Sequence, residues 1–547
     1  MNASQIRRRG TVAAIAISVL SAALPAFAGA APWSSIEPMP QPRSAPGATS
    51  LKNGLIYVVG GLNASLVPTR TLYAYNASTD SWTQKAPAPV ALDAPSVVGS
   101  GGMLYVLGSA NRPQAAYRYN PAADAWSAVR APTSGRTGFV AGVGASGRLY
   151  AIGGSLAGED SYDPATGRWH PEGSPLVDTT VRLGDQYDKV DAVSYNPGTN
   201  AFAKLDHVFT DQFRPAIRTG PDGRVYLLGG ACACDPQQDM QYSTIPGTLV
   251  LNVSAGVAAY AQDMPFDATD SASAVLGGKL YVFGGRQFFY QAFPPAGIPV
   301  DDAAAFTPGD TTLPVVTKAP APAWSGGLVN DAAPVRLSWA ATDPGGIHRY
   351  AVQGRTNGGA WASPDQDVEP PWATSFDVSL AYGATHQFRM QATDNYANVG
   401  TWHAGPAFSV AKTEDASPSV AYGGSWNVDA TSAFASLASG GALHDSAAAG
   451  DSVRFTFTGS AVGFAAPTDL NAGLGKVRIY VDGTLRATVD ENRPTAVEED
   501  PFTGEDVDGS SVLWGTSWTT TGTHSVRLVV AGTSGRPRVN VDAFLVR

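Results

Sequence analysis

The chain has 547 residues, too many for a single hydrophobic core, so two to four domains are expected. Glycine (60) and proline (40) are abundant, yet 44% of residues are hydrophobic and 10% aromatic, which excludes a largely disordered chain and suits many short strands joined by turns. The net charge of -10 is diffuse and no long basic run occurs, which argues against a nucleic-acid partner, because phosphate binding needs concentrated Lys and Arg.

The N-terminus reads as an export signal. Arg7, Arg8 and Arg9 form a positive region, Thr11 to Leu24 is almost uncharged and mostly apolar, and Ala26-Phe27-Ala28 supplies the small residues of a cleavage site. Residues 1–28 are therefore expected to be a signal peptide, and the protein to be secreted. A membrane anchor is the alternative, but the apolar run is short for a span. No later segment is long and apolar enough to cross a bilayer, so no membrane span is expected once the signal is removed. The oligomeric state is not set by anything in the sequence.

Between Pro32 and Asp310 the chain repeats. A unit of apolar residues ending in Gly-Gly appears at Leu55 to Gly61, Leu149 to Gly154, Val225 to Gly230 and Leu280 to Gly285, with a variant at Met103 to Ser109. After it come a second apolar strand, a turn and a tryptophan, as in Tyr73 to Asn76 with Trp82, Tyr117 to Asn120 with Trp126, and Tyr162-Asp163-Pro164 with Trp169. A period in the forties with four short strands per unit is that of a propeller blade, whose strands are buried on both faces. These residues closely resemble the kelch repeat family, and the resemblance implies a six-bladed β-propeller over residues 32–310. The fourth repeat is degenerate: Tyr195-Asn196-Pro197 is present without a preceding Gly-Gly. The last repeat lacks its tryptophan strand, and Trp33-Ser34-Ser35-Ile36 has the form of that strand, so it is expected to pair with the last blade and remove two open edges.

Two features of the repeats are candidates for binding. Polar residues recur at similar distances before the Gly-Gly units, at Arg43, Asp93, Arg136, Arg214 and Asp270. In kelch-like blades this position lies near the channel mouth, where Arg and Asp can either hydrogen-bond a polar ligand or stitch adjacent blades together. The long segment after the last Gly-Gly carries Arg286, Phe288, Phe289, Tyr290 and Phe293, an aromatic set suited to sugar rings or a protein surface if exposed, or to capping the channel if folded over it. The only cysteines, Cys232 and Cys234, are separated by one residue, so they form either a strained bridge or two thiols, and the fold is not built on disulfides.

Beyond a Pro/Thr/Ala linker, Val335 to Trp339, Tyr350 to Gln353 and His386 to Ala392 alternate as half-buried strands do. Trp339 and Ala392-Thr393-Asp394-Asn395 resemble fibronectin type III and immunoglobulin-like modules, implying a β-sandwich over 311–411 with Trp339 in its core. From Lys412 to Arg547, strands such as Ser452 to Thr458 and Lys476 to Gly483, with Val541-Asp542-Ala543-Phe544, resemble jelly-roll accessory domains of carbohydrate-active proteins. Trp514 and Trp518 are candidate sugar-stacking residues there. The acidic stretch Asp490, Glu491, Glu498, Glu499, Asp500, Glu505, Asp506 and Asp508 is a candidate calcium site, although its spacing is not that of an EF-hand.

No catalytic constellation emerges. Copper oxidases with kelch repeats need converging imidazoles, and the repeats hold only His170 and His207, in separate segments. No Gly-x-Ser-x-Gly elbow stands at a strand-to-helix turn. The sequence therefore reads as an all-β chain, a six-bladed kelch-type propeller followed by two β-sandwich domains. It is expected to be a non-enzymatic secreted or surface protein binding a polysaccharide or protein, without a required cofactor. The alternative is a carbohydrate-active or galactose-oxidase-like enzyme acting at the channel mouth.

Overall fold

The structure, a computed structural model, describes residues 32–131, 140–143, 147–152, 159–173, 192–196, 201–205, 214–232, 241–252, 254–288, 291–292, 297–329, 332–363, 373–469, 473–493, 496–499 and 506–547. The export signal expected over 1–28 lies outside them, as does Cys234. Among the described residues the protein is all-β apart from one short helix, Ala433–Leu437, and no helix is long and apolar enough to cross a membrane.

The kelch-like repeats fold into a succession of antiparallel sheets. The first contains Gly47–Ser50, Leu55–Val59, Leu72–Asn76 and Ser81–Lys85 in that order, and the same four-strand order recurs over 97–128, 140–173 and 216–261. Only one hairpin, Ala192–Asn196 with Ala201–Leu205, is described for the degenerate repeat. The apolar strand before each glycine pair is buried on both faces, as in Ile56, Tyr57, Val58 and Val59, because neighbouring sheets pack on both sides of it.

The last sheet takes its outer strand from the other end of the chain. Trp33–Ser35 pairs antiparallel with Ala303–Phe306, with Trp33 opposite Phe306. The tryptophans show why this strand belongs there. The indole N–H groups of Trp82, Trp126 and Trp169 donate to the carbonyls of Glu37, Ala86 and Arg130, each just beyond the outer strand of the preceding sheet. Trp33 does the same to Gln262, which follows Val257–Ala261, at 2.9 Å. It thus serves as the tryptophan that the last repeat lacks.

The glycine pairs latch sheets on the other side. The second glycine donates its N–H to the next repeat, from Gly61 to Leu92 and from Gly230 to Ala268, and from Gly285 in the last repeat to Arg43 in the first. Gly284 shows why the position excludes a side chain: its φ is +59°, and a Cβ would lie 2.6 Å from the Arg43 carbonyl oxygen.

After the repeats, Val315–Trp324, Ala332–Thr342 and Ser375–Ala381 form one sheet, and Ile347–Thr356, Thr385–Asp394, His403–Ala404 and Phe408–Ser409 another. Side chains of both share a core around Trp339, which is 2% exposed and packs edge-on against Tyr350 and Phe376. In the C-terminal part a seven-stranded sheet, including the long strands Ser452–Ala466 and Ser511–Val530, shares its core with the three-stranded sheet of Asn427–Asp429, Leu443–Ser446 and Val539–Val541. Trp324 fills the seam between these two regions, close against Gly463 and Gly515.

Candidate functional site

The residues predicted for the channel mouth divide into two groups. Asp93, Arg214, Asp270 and Arg286 come together. The Asp270 carboxylate bridges two arginines, with Arg214 Nε 2.8 Å from Oδ1 and Arg286 Nε 2.8 Å from Oδ2. Asp93 lies close enough for all three to act on it. Burial raises its carboxyl above the ordinary range and Asp270 adds to that, while Arg214 and Arg286 pull it down. The cluster is accessible through Arg214, whose side chain is 46% exposed against 8% for Asp270 and 14% for Arg286.

The backbone holds this cluster in place. Arg214 and Asp270 have φ of +52° and +55°, as have Ala45 (+51°) and Ala94 (+44°) at the corresponding points of the first two repeats. At these turns the chain links repeat to repeat, with Ala45 N–H donating to the Asp270 carbonyl and Asp270 N–H to that of Arg214. Asp93 is tied to the turn of its own repeat, its N–H donating to Asn111 Oδ1 at 2.9 Å. Beside Asn111 opens a cleft of about 540 Å³, lined by Val90, Arg112, Pro113, Gln114, Ala115 and Tyr117.

Arg43 does not join them. It stands two residues before the Ala45 turn, not at it, and is 2% exposed. Its guanidinium donates to Gln41 Oε1 at 2.6 Å, the Pro42 carbonyl at 2.7 Å and Thr71 Oγ1 at 3.3 Å, so it stitches the first repeat internally. Phe288 is also corrected: at 4% exposure it is interior, and the Thr244 N–H donates to its carbonyl. Arg136, Phe289, Tyr290, Phe293 and His207 lie outside the described residues. His170 stands on Arg168–Gly173, opposite Ser161. Cys232 is buried and disulfide-bonded.

Trp514 and Trp518 belong to a different part of the molecule. Trp518 stacks on His524, ring centroids 3.7 Å apart, and both tryptophans pack against the C-terminal core. Trp514 also lines a cleft of about 290 Å³ with Trp324 and Arg547. In the acidic stretch, Asp490 is already matched by Arg536 at 3.1 Å and Lys476 at 3.6 Å. Glu491 is fully buried, which pushes its carboxyl well up, and its Oε2 accepts the Asn540 N–H. Glu498, Glu499, Asp506 and Asp508 fall on the paired strands Ala496–Glu499 and Asp506–Gly509, while Asp500 and Glu505 lie outside the described residues.

One convergence escaped the sequence reading. Asp310, Asp343 and Asp394 bring carboxylate oxygens within 4.8 Å of one another where the repeats meet the following sheets. Only the Asp394-Asn395 turn hinted at it, since the three acids are far apart in the chain.

Against known proteins, residues 42–89 match the family model described as Kelch motif. The chain carries a kelch motif. Over 120 residues it is 28% identical to Kelch-like protein 35 of Mus musculus, covering 21% of each chain. Over 129 residues it is 30% identical to Kelch-like protein terF of Aspergillus terreus, covering 21% of this chain and 28% of that protein. An F-box/kelch-repeat protein of Arabidopsis thaliana is 26% identical over 174 residues, covering 29% of this chain and 46% of that protein. The chain thus spans less than half the length of each of these relatives. Among solved structures, that of YjhT aligns over 50% of this chain and 97% of its own, at 17% identity and a TM-score of 0.38.

Proposed function

We propose that this chain is a secreted or cell-surface binding protein whose kelch repeats form a six-bladed propeller, and that the propeller recognises a protein partner at the face where Asp93, Arg214, Asp270 and Arg286 meet. In this reading residues 311–411 and 412–547 are two β-sandwich modules that space the propeller from its attachment and add a second contact, a carbohydrate among the candidates. The observation that carries the proposal is the Asp270 carboxylate held between two arginines, with Arg214 still open to solvent. A fixed, mixed-charge patch of this kind favours a partner of matching charge pattern and disfavours others.

A ring fits the neighbour contacts. Among the described residues, tryptophan and glycine-pair latches link the first three repeats in series and the fifth to the last, and the last meets the first through Trp82 and Gly285. The kelch proteins it resembles support a binding role. The test is to present the immobilised full chain, and its Arg214→Glu variant, with extracellular proteins and with a polysaccharide array. The proposal expects a protein to be retained by the parent and lost by the variant. Release of products from a glycan, abolished by the same substitution, would instead establish the enzyme reading.

A further inference from the structure

The carboxylate cluster at the seam has no counterpart in the binding face. Asp310 follows the last repeat strand, Asp343 follows Ala332–Thr342, and Asp394 ends Thr385–Asp394, so one group comes from the kelch-repeat side and two from the next module. All three are held by neutral donors. Asp310 Oδ1 accepts from the Thr312 N–H at 2.8 Å and its hydroxyl at 2.6 Å. Asp343 Oδ1 accepts the Gly345 N–H at 2.7 Å, and Asp394 Oδ1 the N–H groups of Tyr396 and Asn398 at 2.8 and 2.7 Å.

The neighbouring cation does not neutralise them. Arg224 donates to the Asp310 backbone carbonyl at 3.1 Å and to the Asn398 side chain, and pairs with Asp222 at 3.2 Å. A second observation makes this more than a group of acids. Asp310 is only 9% exposed, and its Oδ2 is buried without any hydrogen-bond donor. That oxygen points into the cluster beside Gly345, where a Cβ would stand 2.5 Å from it, so a glycine is needed to keep the space open. A buried carboxylate oxygen without a donor is costly, and converging carboxylates compound the cost unless a cation, or a proton held between Asp310 and Asp343, is shared among them.

We propose that Asp310, Asp343 and Asp394 form a divalent-cation site of calcium type that fastens the kelch-repeat region to the module behind it. Hard oxygen donors from three separate chain segments suit calcium better than magnesium, which demands a strict octahedron, and among the described residues no thiol or imidazole joins the cluster to favour zinc. The cation bridges both sides of a seam otherwise held by Arg224 to Asn398 and by Asn252 Nδ2 donating to the Ala397 carbonyl at 3.0 Å.

Tyr396, whose ring lies 3.0 Å from the Cβ position at Gly345, provides a reporter. Terbium bound at the site should luminesce on tyrosine excitation in the full chain. Calcium should displace it, and equilibrium dialysis should find calcium bound here. Asp343→Asn, at the least buried of the three, should weaken binding at least tenfold and abolish most of the calcium-dependent rise in melting temperature. Asp490→Asn, in the C-terminal acidic stretch, should change neither. Absence of calcium binding by the parent chain would overturn the proposal and leave a shared proton as the link between the acids. Calcium binding undiminished in both Asp343→Asn and Asp310→Asn would overturn it too, placing the cation elsewhere. Dialysis of the parent chain reads the first of these outcomes even if a variant fails to fold.

Discussion

Replacing Trp33 by alanine tests how the last repeat is completed. The side chain is 6% exposed, its ring centroid lies 5.0 Å from that of Phe306, and its indole N–H reaches Gln262 at 2.9 Å and Thr248 at 3.2 Å. Truncating a buried tryptophan typically costs about 3–5 kcal/mol from lost burial and the cavity left behind. The Gln262 carbonyl, left without its donor, adds about 1 kcal/mol. For a repeat region of this size that corresponds to a fall in melting temperature of roughly 10 °C. Trp33→Phe keeps a ring against Phe306 but loses both hydrogen bonds and part of the buried ring, so it should cost about 1–3 kcal/mol, less than alanine. Differential scanning calorimetry of parent and variants, with limited proteolysis to locate the first cut, reads both effects. The substitution should also make the segment around Ala303–Phe306 the earliest site of cleavage. If Trp33→Ala melts together with the parent chain, the N-terminal strand does not hold the last sheet and the latching argument fails.

Three further outcomes follow from the same geometry. Gly284→Ala places a Cβ against the Arg43 carbonyl at positive φ, and should destabilise by about 1–3 kcal/mol, seen as a lower denaturant midpoint, whereas alanine at the solvent-facing Gly54 meets no neighbouring atom and should cost less. Asp542 is buried, which pushes its carboxyl up to about 6, with Glu414 adding to the effect and hydrogen bonds from Ser439 opposing it. Because the folded state then favours the protonated form, its contribution is present below the ordinary carboxylate range and is lost as pH rises through about 6, on the order of 2–3 kcal/mol in all. Urea midpoints of the C-terminal transition should fall over that window, and the fall should shrink in Asp542→Asn; an unchanged slope in the variant would assign the dependence to other groups. Asp270→Asn should loosen Arg214 and Arg286 together, measured as faster hydrogen exchange at both turns and a lower melting temperature, because breaking the largely buried pair between Asp270 and Arg286 is destabilising.

The repeat strands were legible because their evidence is local. A buried apolar strand, a glycine pair that no Cβ can replace and a tryptophan at a fixed distance are each imposed by packing against the next sheet. The role of Trp33 could be read in the same way, since one repeat lacked a strand and the N-terminus offered one. The binding residues were read less well. Arg43 has the right residue type and roughly the right spacing, but it stands two positions before the turn at Ala45, which is enough to direct its guanidinium to Gln41 and Thr71. Phe288 belongs to an aromatic run that reads as a surface patch, yet the backbone bond from Thr244 draws it inward. The acids at 310, 343 and 394 were invisible as a group because only the packing of the repeats against the following sheets brings them together. Asp490, conspicuous in its acidic stretch, is already occupied by Arg536 and Lys476.

The proposed function places recognition at the Arg214–Asp270–Arg286 cluster. Its most direct test is the affinity of the protein retained by the parent chain, measured by surface-based binding kinetics against the parent, Arg214→Glu and a distant charge reversal at Arg336. Recognition at this cluster predicts at least a tenfold weakening for Arg214→Glu, strongest at low salt, and no change at Arg336. Equal affinity for all three chains would refute recognition at this face and place it elsewhere on the molecule.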